Sequence, residues 1–214
     1  MNILRKIFIL VAGLFLTITS FGYIFWPAHR SVNTTLSVTD EISKSETMSR
    51  LKLKALMAKD YAIDHGYDAS HCFLIDMRLP SGKNRFFVYN LGADTVEMAG
   101  LVTHGKGSEN ESGNLVFSNT ANSNCTSLGK YKIGRSYQGS FGLSYKLIGL
   151  EKTNSRAFGR AVVLHSYCGV PKDEVYPAPI CVSEGCPAVS PAFFTQLKTY
   201  LDRSEEPILL WIYY

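Results

Sequence analysis

The sequence predicts a mainly β domain, a β-sandwich or a curled antiparallel sheet with a few flanking helices. Three observations carry that expectation. Short apolar segments of strand type recur between turn residues from Cys72 onward, and glycines at 129, 134, 139, 142 and 149 punctuate the middle of the chain. No glycine-rich phosphate loop opens a helix, so a nucleotide-binding parallel α/β fold is not indicated. With 214 residues, 46% hydrophobic and 19% charged, the chain is long and apolar enough for one core plus appendages. Its net charge of +4 is spread without a block of like charges, which gives nucleic acid little support as a partner.

Taken in order, Arg5 and Lys6 precede an apolar run from Ile7 to Trp26. A run of that length reads as a transmembrane anchor with its basic end inside. The competing reading is a cleaved signal peptide, with Ser20 and Gly22 as small residues near the cut. Either way the remainder is exported. Pro27 to Asp40 is polar and aperiodic and reads as linker. From Asp40 to His65, Met48, Leu51, Ala55, Ala58 and Ala62 recur at helical spacing, and Gly66 ends the pattern. The domain plan is therefore an anchor or signal over 1–26, a linker over 27–47 and a globular domain over 48–214. Strand patterns follow at Cys72–Met77 and Arg85–Leu91 around a Pro80–Lys83 turn, then at Thr95–Thr103 after a turn at Gly92–Asp94. Shorter β pieces are expected at Leu115–Phe117, Lys130–Ile133 and Gly142–Ile148, and a further strand at Ala161–His165. Ser190 is a natural N-cap with Pro191 at the first helical position, and Phe193, Leu197, Tyr200 and Leu201 give that helix an apolar face. Ile208 to Tyr214 reads as a last strand.

The chemistry concentrates between His165 and Ser190, HSYCGVPKDEVYPAPICVSEGCPAVS. A thiol becomes a useful nucleophile when an imidazole takes its proton, so the expected catalytic pair is Cys186 and His165. Gly185 permits a tight turn and close approach of a carbonyl. Pro187 has no N–H, so an oxyanion would be held by the N–H groups of Gly185 and Cys186 or by Ser183. With no acidic partner following His165, the carbonyl of Ser166 is the expected orienting group. The helix after Ser190 would start just past the nucleophile and favour a thiolate. Glu184 would oppose it.

An exported chain with five cysteines leaves one unpaired if the others bridge, and Cys72, Cys125, Cys168 and Cys181 are the candidates; reduced, buried thiols are the alternative. A second class of function rests on spacing: His165-x2-Cys168 and Cys181-x4-Cys186 match tetrahedral zinc ligation, as in a zinc-stabilised binding module.

The His165 strand and the Ser183-Glu184-Gly185-Cys186-Pro187 turn resemble the L,D-transpeptidases of bacterial cell walls, the YkuD-like fold, and in particular the murein L,D-transpeptidase catalytic domain. Further similarity lies in His104-Gly105, Phe117-Ser118-Asn119, Thr126 to Tyr131 and Ser140-Phe141-Gly142. The resemblance implies acyl transfer on peptidoglycan peptide stems without metal or organic cofactor, with Cys186 as nucleophile and His165 as base. It further implies that His104 and Gly105 line the substrate pocket; Glu184 is a candidate substrate contact by its place in the turn, since the contacts of the family's second histidine do not carry over to it. Partners would be donor and acceptor stems, or a protein attached to the wall. The location would be the cell envelope or periplasm, at the inner membrane. Glu184 stands where the family carries a second histidine, and Pro187 where it carries an aliphatic residue, which leaves an inactive member or an L,D-carboxypeptidase as alternatives.

Overall fold

The structure is a computed structural model that describes residue 41 and residues 43–214. The expected anchor or signal segment over 1–26 and most of the 27–47 linker lie outside the described residues. Among the described residues no helix is long and apolar enough to cross a membrane. The chain divides into Met1–Arg50, of which residues 43–50 are helical, and Leu51–Tyr214, which carries the sheet. The helical residues 43–47 agree with the helix expected from Asp40 to His65, although the domain plan counted them with the linker.

In the second unit, helix α1 covers residues 51–65, and the strands are β1 (His71–Asp76), β2 (Phe86–Asn90), β3 (Thr95–Gly100), β4 (Gly129–Gly139), β5 (Gly142–Gly149), β6 (Val163–Ser166), β7 (Ala188–Val189) and β8 (Leu209–Tyr213). Helix α2 spans Pro191–Arg203, and one 3₁₀ turn covers Lys106–Ser108. All eight strands form one sheet in the order β3-β2-β1-β8-β4-β5-β6-β7. The expected sandwich or curled antiparallel sheet is thus corrected to a single mixed sheet. β1 pairs with β8, and β6 with β7, in parallel, while the remaining pairs are antiparallel.

The alternation of strand side chains explains why both faces are covered. On β1 and β8, Phe73, Ile75, Leu210 and Ile212 point into one core with Phe193, Phe194 and Leu197 of α2. Cys72, Leu74, Leu209, Trp211 and Tyr213 point into a second core with Leu51, Ala55 and Ala58 of α1. Strands buried on both faces read as continuous apolar runs, which is what Cys72–Ile75 and Leu209–Tyr213 are. The edge strand β3 instead alternates between exposed and part-buried positions. Ser190 caps α2 by accepting from the Phe193 N–H, with Pro191 at the first position.

Met48 is 43% exposed, while Leu51, Ala55, Ala58 and Ala62 of its stripe are buried. Leu115–Phe117 forms no strand: Val116 N–H donates to the Ser108 carbonyl in a loop, although Leu115 and Phe117 still pack on the core. β4 runs well past the expected Lys130–Ile133 because it forms a long hairpin with β5, with a bulge between Ile133 and Ser136.

Candidate active site

β6 and β7 form one end of the sheet, and two elements with short sequence separation meet there. His165 lies opposite Ala188, two residues beyond Cys186, in their parallel register. The Cys186 Sγ sits 3.5 Å from the Val163 N–H, and Val163 is two residues before His165, on the same face of β6. The thiol lies 3.8 Å from the Ala161 carbonyl, in the segment that leads into β6. Ala161 has φ +56, a left-handed conformation that turns the chain into the strand.

The turn before Cys186 is fixed by its own polar groups. Gly185 has φ +115, which a side chain rarely adopts. Its N–H donates to the Ser183 Oγ at 3.1 Å, and that hydroxyl donates to the Cys186 carbonyl at 2.6 Å. Thr103 Oγ1 donates to the same carbonyl at 3.1 Å and accepts from the Ala188 N–H at 3.0 Å. Ser183 N–H donates to the His104 carbonyl, and Lys106 N–H to the Ser183 carbonyl, so residues 104–106 brace the turn from the other side. Gly105 must be glycine for this: a Cβ there would stand 2.1 Å from the Asn124 carbonyl oxygen and 2.8 Å from the Gly185 Cα.

His165 is 4% exposed, and its Nδ1 lies 3.0 Å from the Ser166 carbonyl. A carbonyl only accepts, so Nδ1 carries the proton and Nε2 is left as the acceptor. Phe141, at the tip of the β4–β5 hairpin, stacks on the imidazole with centroids 4.4 Å apart and planes at 24°. Burial lowers the pKa of His165, against the smaller raising effect of the Ser166 hydrogen bond. Burial raises that of Cys186, opposed by the Val163 N–H and by Arg160. The two groups therefore rest as neutral thiol and neutral imidazole. Burial, not the Glu184 carboxylate, is what pushes the thiol up. Helix α2 begins at Pro191 behind the Ser190 cap, as the sequence suggested, with β7 between it and Cys186.

Glu184 is exposed and paired with Lys106, whose Nζ is 2.7 Å from its Oε1. His104 is 5% exposed, and its ring is turned to Arg85 and Glu109: Arg85 Nη2 donates to Nδ1 at 2.9 Å, and Nε2–H donates to Glu109 Oε1 at 3.3 Å. Together these groups line a cavity of about 500 Å³ with Arg78, Asn114 and Tyr214. Cys186, His165, Ser166, Ser183 and Gly185 are thus gathered at one edge of the sheet. Gly105 and Glu184 brace or flank the turn, and the His104 ring points into the neighbouring cavity.

All five cysteines are free, with Cys72 and Cys125 buried. Among the described residues no group of three or more His, Cys, Asp or Glu is arranged to hold a metal ion, so the zinc-like spacing does not become a zinc-like cluster. Sequence reading passed over Thr103 and Arg160, and named Phe141 only within the similar Ser140-Phe141-Gly142 segment, without a role beside His165. Phe141 had a signal, a lone aromatic between Ser140 and Gly142 at a hairpin tip, whereas Thr103 and Arg160 act through backbone carbonyls and leave no pattern.

The fold and site define a β domain that carries a thiol and an imidazole together at one end of a mixed sheet. The chain belongs to the L,D-transpeptidase catalytic domain family, whose description matches residues 43–213. Among curated proteins no significant sequence match is found. Solved structures similar to it include an L,D-transpeptidase of Enterococcus faecium in its C442S form, with 10% identity and TM-score 0.42, covering 67% of this chain and 50% of that one. Another is the helical cell shape determining protein Pgp2 of Campylobacter jejuni in its K307A form, with 12% identity and TM-score 0.45, covering 67% of this chain and 46% of that one. A third is an L,D-transpeptidase of Mycobacterium tuberculosis, with 12% identity and TM-score 0.35, covering 68% of this chain and 58% of that one. The chain thus spans about half the length of the first two.

Proposed function

We propose that the domain is a murein L,D-transpeptidase that works through a Cys186 acyl-enzyme. The observation that carries the proposal is the geometry of His165: its Nδ1–H is committed to the Ser166 carbonyl, and it sits on the strand against which the Cys186 sulfur packs. Such a base is oriented and holds the correct tautomer before substrate arrives. Because both groups rest neutral, the proton moves during attack rather than before it.

Cys186 Sγ adds to the carbonyl of the bond between the diamino acid and the terminal D-alanine of a donor stem, as its proton passes to His165 Nε2. The oxyanion takes the Cys186 N–H, for which no acceptor lies among the described residues, since the Gly185 N–H is engaged by Ser183. Collapse breaks the C–N bond, His165 gives its proton to the leaving amine, and a thioester remains. The amine of an acceptor stem, or of a protein to be attached to the wall, then adds to the thioester and loses its proton to His165, releasing Cys186. Water in place of the amine makes the protein an L,D-carboxypeptidase. The substrate lies in the cell envelope, so this role places the domain outside the inner membrane, held there by the apolar 7–26 segment.

The test is mass analysis of wall fragments after incubation with purified protein. Wild type is expected to produce cross-linked stems or stems shortened by one D-alanine, and Cys186→Ala to produce neither while keeping its fold. Products from Cys186→Ala equal to wild type would end this assignment.

A further inference from the structure

Arg160 immediately precedes Ala161, whose carbonyl lies 3.8 Å from the Cys186 sulfur. Its guanidinium is tied to four oxygens from two stretches of chain, Ser118 and residues 123–127. Nη1 donates to the Ser118 carbonyl at 2.9 Å and to the Ser127 hydroxyl; Nη2 donates to the Cys125 carbonyl at 2.7 Å and to the Ser123 hydroxyl at 3.4 Å. Each Nη carries two protons, so these four bonds occupy both nitrogens and leave neither to swing toward a ligand. All four acceptors are neutral. Among the described residues no carboxylate is ion-paired with Arg160. Nη2 also stands 3.4 Å from where a Cβ on Gly185, the residue before the nucleophile, would lie. A full positive charge is therefore fixed against the nucleophile turn, without a counterion to cancel it.

We propose that Arg160 is the fixed counter-charge for the Cys186 sulfur as it becomes anionic, a positioning residue that acts through the field at the nucleophile and does not touch substrate. The proposal rests on the reading of Cys186 as the nucleophile. A buried thiol is costly to ionise, and a partly desolvated cation close by is screened less than a surface charge and offsets that cost. The direction agrees: burial raises the Cys186 pKa, whereas Arg160 lowers it. The other ionisable groups around the sulfur are His165 on β6, Tyr131 from β4, and Glu184 on the same turn, the last held by Lys106. None of the three supplies a permanent positive charge, since His165 rests neutral and Lys106 is held outside by Glu184.

The experiment is the pH dependence of Cys186 alkylation by iodoacetamide, followed by peptide mass mapping so that the other four thiols are read separately. In Arg160→Gln the midpoint for Cys186 is expected to rise by about one pH unit, and in Arg160→Lys to stay within a few tenths of wild type, with folding checked by near-ultraviolet circular dichroism. An unchanged midpoint in folded Arg160→Gln, or a rise in Arg160→Lys as large as in Arg160→Gln, overturns the proposal. Should Arg160→Gln fail to fold, Arg160→Lys and wild type decide: a midpoint in Arg160→Lys within a few tenths of wild type supports the fixed charge, and a rise of about one pH unit or more overturns it. No wall substrate enters the assay. Intact thiol behaviour with no product on wall fragments would therefore count against the transpeptidase reading and leave Arg160's role standing.

Discussion

Burial acts in opposite senses on Cys186 and His165, the proposed nucleophile and base, and that decides how pH should govern them. His165 is held below the ordinary imidazole range by desolvation, so its base form persists into mild acid. The acid limb of kcat/KM is expected below pH ~6.5, the unperturbed imidazole value; a limb at or above that value would contradict it. The same shift bears on stability. His104 is also lowered, by burial first and by Arg85 second. With both folded-state values below that of the unfolded chain, their contribution is present above about pH 6.5 and is lost as pH falls toward the lower values, because the unfolded chain binds more protons. Urea unfolding is expected to show lower stability at pH 5.5 than at pH 7.5, with a smaller difference in His165→Asn; equal stability at the two pH values would contradict it. Cys186 and His165 were legible in the sequence because a strand and a turn twenty-one residues apart carry the whole motif. The side chains that hold them were not, since the bond from Thr103 to Cys186 spans 83 positions and ends on a backbone oxygen.

The β4–β5 hairpin and the 104–106 segment carry the element-scale consequences. Phe141 is 57% exposed yet covers the imidazole, so its ring shields His165 at little cost to the core. Phe141→Ala is expected to leave thermal stability nearly unchanged while moving the acid limb of kcat/KM toward the ordinary imidazole value. An unmoved limb would show that the stack does not shape the base. Gly105→Ala is expected to lose about 1–3 kcal/mol of stability, because the new methyl must displace backbone at Asn124 and Gly185. It should also lose the proposed activity, since Gly185 sets the turn that carries Cys186; a variant with unchanged unfolding midpoint and activity would contradict this. Helix α2 was legible in full because Ser190 and Pro191 mark its start locally. Leu115–Phe117 was misread as strand because a loop that packs two apolar side chains on a core shows the same alternation as an edge strand.

At the scale of the molecule, β8 lies between β1 and β4, so the last strand in sequence is central in the sheet and joins the β1–β3 part to the β4–β7 part. The apolar runs predicted these strands, but a mixed order was hidden, because β-type patterns record burial and not which neighbour a strand will take. Removing residues 209–214 is expected to abolish cooperative unfolding, and Leu210→Ala to cost about 2–5 kcal/mol as a fully buried site. A cooperative transition in the truncated chain would contradict the central placement. The same connectivity holds the edge where the proposed pair meets, since β6 carries His165 and β7 follows Cys186. The most direct measurement is intact-protein and peptide mass analysis of the protein quenched during incubation with a donor stem. The expected result is a stem, shortened by its terminal D-alanine, bound as a thioester to Cys186, and strongly diminished in His165→Ala. An adduct on another residue, or one formed equally in Cys186→Ala, would contradict it.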